Sequence, residues 1–315
     1  MFKKKALALA IFAAASTFGP ASSAVAEDQI YVPIIAKGFL HQFWQAVKKG
    51  AEQAAKDLNV RMTFEGTESD TMVDKQVDML AAAIAKKPKV IGFAALDTQA
   101  ATPLLKKAQA AGIPIIAFDS GVDNDIPATT AATDNIAAAA VAADKMAELI
   151  GDKGDVAIVT HSQTSRTGID RVEGFVNQMK AKHPSVKIVS VQNGDGDQLK
   201  STEITKAILQ ANPNLKGIFG TAEGSVVGVA RGATESKRKL VIVGYDSGKQ
   251  QKDAIREGVI AGSITQNPVG MGYKTVEAAV KASKGEKLPK KIDTGFFWYD
   301  KTNIDDPKIA AVLYD

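Results

Sequence analysis

Ile30-Tyr31-Val32-Pro33-Ile34-Ile35 is a short apolar, β-branched run, and after it Phe43, Trp44, Val47, Ala51, Ala54 and Leu58 recur at three- or four-residue steps. The first pattern is that of a buried strand; the second puts the apolar side chains on one face of a helix. The pair then repeats. Val60 to Phe64 reads as a strand, Asp74 to Ala85 as a helix, Val90 to Leu96 as a strand, Thr102 to Ala111 as a helix stopped by Gly112, and Ile113 to Phe118 as a strand. Strands alternating with helices predict parallel sheets with helices on both faces.

A second set begins after Thr133-Asp134-Asn135, with an alanine-rich helix from Ile136 to Ile150 and a turn at Gly151 to Gly154. Strands then follow at Val156–Val159, Val186–Val191, Ile218–Gly220 and Leu240–Tyr245, separated by helices at Thr167–Lys180, Glu203–Ala211 and Ser225–Thr234. Beyond Gly262 to Gln266 only a helix, Gly270 to Ala282, a lysine-rich turn at Lys284 to Lys291 and a strand near Phe296 to Tyr299 remain. A lone helix and strand cannot build a lobe. The chain is therefore expected to return to the first lobe after Gln266 and to cross once more toward its end. The fold class is α/β: two doubly wound parallel-sheet lobes joined by a three-segment hinge, with residues 27–133 plus 267–295 in one lobe and 134–266 plus 296–315 in the other. Asp134 and Gln266 mark the hinge. No residue-level repeat points to a solenoid.

The first 26 residues have a different character. Lys3, Lys4 and Lys5 precede an apolar stretch from Ala6 to Phe18, a break at Gly19-Pro20, and Ala24-Val25-Ala26 ahead of Glu27. That is the pattern of a secretory signal peptide, 1–26, with a mature chain starting at Glu27. The apolar run is too short to span a bilayer, and cysteine is absent, so neither a disulfide framework nor a lipidated cysteine is expected. The formal charge is +4, of which Lys3, Lys4 and Lys5 supply three, leaving +1. Without a basic block, nucleic acid is not expected as a partner.

In parallel α/β sheets, ligands bind where strands end and loops lead into helices. The segments in that place are Lys37–Trp44, Glu65–Asp70, Asp97–Thr98, Asp119–Ser120, His161–Arg171, Asp195–Asp197, Thr221–Ser225 and Asp246–Ser247. They are rich in carboxylates, amides and hydroxyls, which suits a neutral polyhydroxylated ligand, since each hydroxyl both donates and accepts and charged partners strengthen the bonds. The plainer function of any single Asp or Ser here is to cap a helix. The loop His161–Gly168, with Thr164 and Arg166, is able to hold a polar group or anion, or else to cap a helix through Ser165 or Thr167.

Lys37-Gly38-Phe39-Leu40-His41-Gln42-Phe43-Trp44, Ile115 to Asp119, Thr133-Asp134-Asn135, Asp170 to Phe175, Val243-Gly244-Tyr245-Asp246 and Thr265-Gln266 follow one another in the order and spacing of ribose-type periplasmic sugar-binding proteins. The chain resembles that family, the type I periplasmic binding proteins of ABC importers, over essentially all of its mature length. The resemblance implies that Phe43 and Trp44 stack on a sugar, that His41 stands where an asparagine usually contacts it, and that Asp119, Arg171, Asp246 and Gln266 hold hydroxyls. It departs from the family at Ser120, where an arginine is usual, at Gly196, where an aromatic is usual, and at Ala222, where an asparagine is usual and Glu223 follows. These changes make the site more acidic. An amino sugar or polyol then becomes admissible as ligand, with Lys37 and Arg166 as offsetting charges. The full candidate set is Lys37, His41, Phe43, Trp44, Asp119, Ser120, Thr164, Arg166, Arg171, Glu223, Asp246 and Gln266.

The implied partners are a small sugar and an inner-membrane ABC permease, and the implied place is the periplasm, with a monomer as default. No metal, cofactor or catalytic residue is expected. Histidine occurs only as His41, His161 and His183, and neither a Gly-x-Ser-x-Gly elbow, a Walker A string nor a His-Glu-x-x-His helix is present. His183, before Pro184, reads as solvated. A regulator sharing the architecture would need an N-terminal helix-turn-helix, for which the first strand leaves no room. The remaining alternative is a sensor or chemoreceptor-linked binding protein for a non-sugar signal such as autoinducer-2.

Overall fold

A computed structural model describes residues 29–314, so the signal-peptide expectation at 1–26 lies outside the described residues. The first set of elements runs β1 (Tyr31–Ala36), α1 (Gln42–Asp57), β2 (Arg61–Gly66), α2 (Val73–Ala85), β3 (Ile91–Phe93), α3 (Thr102–Ala110), β4 (Ile115–Phe118) and β5 (Thr129–Ala132). The second runs α4 (Asn135–Ile150), β6 (Gly154–Thr160), α5 (Arg166–Lys182), β7 (Val186–Asn193), α6 (Gln198–Ala211), β8 (Leu215–Gly220), α7 (Glu223–Glu235), β9 (Val241–Tyr245), α8 (Lys249–Arg256) and β10 (Gly262–Gln266). The chain closes with α9 (Pro268–Ser283), β11 (Lys291–Asp293), β12 (Phe296–Asp300) and α10 (Pro307–Ala310).

Two six-stranded sheets result, ordered β11-β5-β4-β3-β1-β2 and β12-β10-β9-β8-β6-β7. Each has apolar clusters on both faces. Val47, Ala51 and Ala54 of α1 and Met271, Val276 and Ala279 of α9 cover one side of the first sheet, and Leu80, Ile84 and Leu105 cover the other. α1 and α9 approach so closely that a Cβ on Gly50 would lie 1.9 Å from the Val269 carbonyl oxygen, and one on Gly272 1.9 Å from that of Val47. Only glycine fits at these two crossings.

The second sheet is not wholly parallel, since β12 runs antiparallel to β10. The reason is positional. Every other strand of both sheets ends on the side where the lobes face each other, and β11 passes straight through Thr294-Gly295 into β12. A strand that enters a sheet at the end where its neighbours finish must run against them. The other crossings, at Thr133-Asp134 and Asn267, lead into helices first.

Elements that the sequence does not mark are β5, β10, β11, α8 and α10. Thr129-Thr130-Ala131-Ala132 joins two β-branched threonines to two alanines, too short and too weakly apolar to mark a strand alone, and it is one because β4 and β11 pair with it on either side. α8 buries only Gln251, Lys252 and Ile255, too few apolar positions to give a periodic stripe. β3 is shorter than expected. Past Phe93 the regular ladder ends: Ala94 N and Ala95 N still donate to the Ile35 and Ser120 carbonyls, and the buried Gln76 side chain serves the Ala94 carbonyl and Leu96 N. Its Nε2 donates to the Ala36 and Ala94 carbonyls at 3.0 and 2.9 Å, and its Oε1 accepts from Leu96 N at 2.9 Å.

His183 is not simply solvated. It sits at the C-terminal end of α5 and bridges two carboxylates, Nδ1 to Asp152 Oδ1 at 2.6 Å and Nε2 to Asp144 Oδ1 at 2.9 Å. Burial pulls its pKa down, but the hydrogen bonds and charges of Asp144 and Asp152 together outweigh this and leave it above the ordinary imidazole value. A raised folded-state pKa means that the stabilisation is complete below the unfolded value and disappears as pH climbs through the folded one. The melting temperature of His183→Ala should therefore fall further below wild type at about pH 5.5 than at about pH 9. Equal deficits at the two pH values would rule out a contribution from the imidazolium charge.

Among the described residues no helix is long and apolar enough to cross a membrane, and no cluster of His, Asp or Glu is arranged to hold a metal ion.

Candidate functional site

Both sheets direct the ends of their strands at the space between the lobes, and a cleft lies there. Two aspartates occupy equivalent places, Asp119 after β4 and Asp246 after β9. Both adopt left-handed backbone conformations, φ 53° and 78°. Asp tolerates this region better than most side chains do, and the turn it makes carries each carboxylate into the cleft.

From the first lobe, Lys37 follows β1 and is almost wholly buried. Its ammonium lies 3.1 Å from Asp119 Oδ2 and donates to Thr167 Oγ1 of the second lobe at 3.0 Å. The ion pair is not aligned as a directed hydrogen bond, so Asp119 Oδ2 keeps unused acceptor capacity. His41 precedes α1 without capping it, and Phe43 and Trp44 on the first turn pack edge-to-face at 4.9 Å between ring centres. Asp70, before α2, completes this wall. Burial raises its pKa, against the opposing charges of Lys37 and His41.

From the second lobe, Arg171 on α5 is buried and anchored through two of its nitrogens. Its Nε donates to Asn135 Oδ1 and its Nη1 to the Thr221 carbonyl, each at 2.8 Å, while the guanidinium lies 3.7 Å over the Tyr245 ring and 4.0 Å from Asp246. Asp246 Oδ1 accepts from Gln266 Nε2 at 2.7 Å, and its Oδ2 accepts from the Glu223 backbone N–H at 3.1 Å. His161 bonds Thr221 Oγ1 at 2.8 Å and Thr167 Oγ1 at 3.1 Å. Burial, then the charges of Arg171 and Lys37, hold its pKa well below the imidazole value, so the ring is neutral.

The lobes touch across the cleft. Besides Lys37–Thr167, Thr98 N donates to the Thr164 carbonyl at 3.0 Å, Arg166 Nη1 to Asp123 at 3.0 Å and Lys249 N to Gln42 Oε1 at 2.7 Å. Near the crossings, Thr133 Oγ1 donates to Gln266 Oε1 at 2.9 Å. The conformation is the closed one. Tyr314, close to the chain end, contacts both walls: its ring stands 6.0 Å from Phe43 and its hydroxyl accepts from Ser247 N at 3.1 Å.

Of the candidates, Lys37, His41, Phe43, Trp44, Asp119, Arg171, Glu223, Asp246 and Gln266 line this cleft. Ser120, Thr164 and Arg166 do not. Ser120 lies beneath the surface and Thr164 faces solvent. Arg166 is drawn away by Asp123 and Asp170 into a separate groove behind the hinge. The loop His161–Gly168 caps α5, with Ser165 Oγ accepting from Gly168 N at 3.2 Å. Asp70, His161, Gly196 and Ala222 join the lining. Asp70 and His161 lie in strand-end segments that the sequence marks, but nothing in their local pattern separates them from neighbouring polar residues.

The sequence pattern of the periplasmic binding protein domain family matches residues 31–287. The ribose import binding protein of Escherichia coli (strain K12) is 26% identical over 288 residues, 91% of this chain and 95% of that protein. The crystal structure of a carbohydrate transporter solute binding protein from Agrobacterium radiobacter, in complex with D-arabinose, superposes with a TM-score of 0.88 at 33% identity, covering 91% of this chain and 99% of that one. An ABC transporter solute binding protein from Agrobacterium vitis with bound D-fucose gives 0.87 at 32%, covering 90% and 100%. These relatives are binding proteins of transporters, not enzymes.

Proposed function

The chain belongs to the periplasmic binding protein domain family, and from that premise we propose that it is the sugar-capturing component of an ABC importer, holding a neutral monosaccharide in the interlobe cleft. The observation that carries this reading is the pairing of Asp119 and Asp246, equivalent left-handed aspartates from opposite lobes, around a cleft with Phe43 and Trp44 along one wall. Carboxylates accept strongly from hydroxyls, and an aromatic wall receives the C–H face of a sugar ring. The relatives crystallised with D-arabinose and D-fucose support a neutral sugar over an amino sugar.

In this reading Lys37, His41, Arg171, Glu223 and Gln266 supply the remaining polar contacts, and the lobes are 27–133 plus 267–295 and 134–266 plus 296–315. They rotate about the crossings near Asp134, Gln266 and Gly295. A ligand held from both sides favours the closed state by its differential affinity for it, and the loaded form then docks on an inner-membrane permease. The protein acts as a monomer in the periplasm after removal of residues 1–26.

A thermal-shift screen of the chain from Glu27 onward against D-arabinose, D-ribose, D-allose, D-fucose, amino sugars, polyols and amino acids tests this, because a ligand that binds only the native state raises the melting temperature. The largest rise is expected from a neutral pentose or hexose. A rise with an amino acid or non-sugar signal and none with any sugar would overturn the function while leaving the fold intact.

A further inference from the structure

Glu223 is the cleft residue whose chemistry the set of contacts leaves unexplained. It opens α7, its backbone N–H is given to Asp246 Oδ2 at 3.1 Å, and its Oε2 is sealed from solvent without a hydrogen-bond partner. The carboxyl group lies flat on Gly248, where a Cβ would stand 2.4 Å from Oε1, 2.5 Å from the carboxyl carbon and 2.9 Å from Oε2. The backbone of the loop after Asp246 is thus shaped to admit this acid, yet supplies no cation for it. A buried carboxylate with no counter-charge beside a second carboxylate is unfavourable; the neutral acid is not.

We propose that Glu223 is a neutral acid in the loaded cleft and donates a hydrogen bond to a sugar oxygen, so that capture by a cleft in which it is ionised takes up a proton. This rests on the sugar-binding reading and adds to it a specificity-determining donor. A protonated carboxyl has one O–H to give, and a ligand oxygen placed on it closes the remaining solvent path. The bound state then holds the proton more tightly than the empty cleft does. By linkage, affinity falls as pH rises through the pKa of the empty site.

The surroundings agree. Burial first, then the charge of Asp246, pushes the Glu223 pKa up to about 7. Tyr299 on β12 and Tyr314 on the tail feel its charge, Lys37, His41, Asp70, Asp119, His161 and Arg171 line the same cleft, and Lys249 and Lys252 belong to α8, the helix that follows Gly248. Lys249 is paired with Asp253, Lys37 with Asp119, and Arg171 with Asn135 and Thr221. Both tyrosines have their ionisation pushed far up by burial and His161 has its pKa pushed far down, so these three stay neutral through the range concerned. Asp70, also raised by burial, is the competing acid.

Isothermal titration calorimetry between about pH 6 and pH 8.5, in buffers of different ionisation enthalpy, reads both affinity and proton count, using whichever of D-arabinose, D-fucose, D-ribose and D-allose shifts the melting temperature most. The expected result is an affinity drop of about 30-fold across that range, with uptake of close to one proton per ligand at about pH 8. Glu223→Gln keeps an N–H donor at every pH, so its pH slope should vanish and its affinity at about pH 8.5 should exceed that of wild type. Sugar binding that does not vary with pH, proton release on binding, or an undiminished slope in Glu223→Gln, which would point to Asp70, each overturns the proposal. Failure of every sugar to bind at any pH would instead remove the sugar-binding reading beneath it.

Discussion

Replacing Arg171 by alanine is expected to weaken ligand binding by at least about tenfold and to lower stability by about 3–5 kcal/mol. The side chain is 3% exposed, and its removal leaves Asn135 Oδ1 and the Thr221 carbonyl each short of a charged donor. It also strips Asp246 of its nearby cation and takes a planar group off the face of Tyr245. Breaking a buried charged contact from one side costs far more than the pair itself is worth, because the partner stays buried and uncompensated. Arg171→Lys keeps the charge but loses the planar fork that reaches both acceptors and lies on Tyr245, so it should fall between wild type and alanine. Urea unfolding reads the stability and calorimetry the affinity. An affinity within about threefold of wild type would mean that Arg171 braces the lobe without touching ligand.

Asp246→Asn should cost about 10- to 100-fold in affinity with a much smaller loss of stability. Asparagine tolerates the left-handed backbone at φ 78°, so the turn survives. The hydrogen bonding does not, since the carboxylate accepts on both oxygens, from Gln266 Nε2 and from Glu223 N. An amide has one oxygen, and its NH2 must face one of those donors. Turning Gln266 over to match the amide would break the bond that its Oε1 accepts from Thr133. The same substitution removes the charge that helps raise the Glu223 pKa, so the pH at which binding begins to weaken should move down. Asp246→Asn with wild-type affinity would exclude Asp246 from ligand recognition.

The two substitutions bear on different parts of what could be read in advance. That Arg171, Asp246, Asp119 and Gln266 line the cleft is legible from their strings and from their place in a strand-end segment or at the expected hinge. Thr164 and Arg166 belong to the same strand-end class and miss the cleft, because Ser165 starts α5 there and Asp123 and Asp170 pull the arginine outward. Asp70 and His161 line the cleft without a local signal, for the converse reason. A loop has no periodicity, so local sequence reports that a residue is polar and near a strand end without saying which way it faces.

By itself the sequence determined the alternation of strand and helix, the two-lobe division and the strand ends where the site had to form, because apolar spacing records which face of each element is buried. It also decided that the first lobe would offer aromatics and both lobes an aspartate. The tertiary structure alone decided that Thr129–Ala132 is a strand, that β12 reverses direction, and that Lys37 meets Thr167, separated from it by 130 positions along the chain. It also brought Glu223 onto Gly248 beside Asp246 without a cation. The physical reason is that burial periodicity is a local property of an element. A loop's partners, and so the charge state of the groups in the cleft, depend on how two separately folded lobes come to face each other.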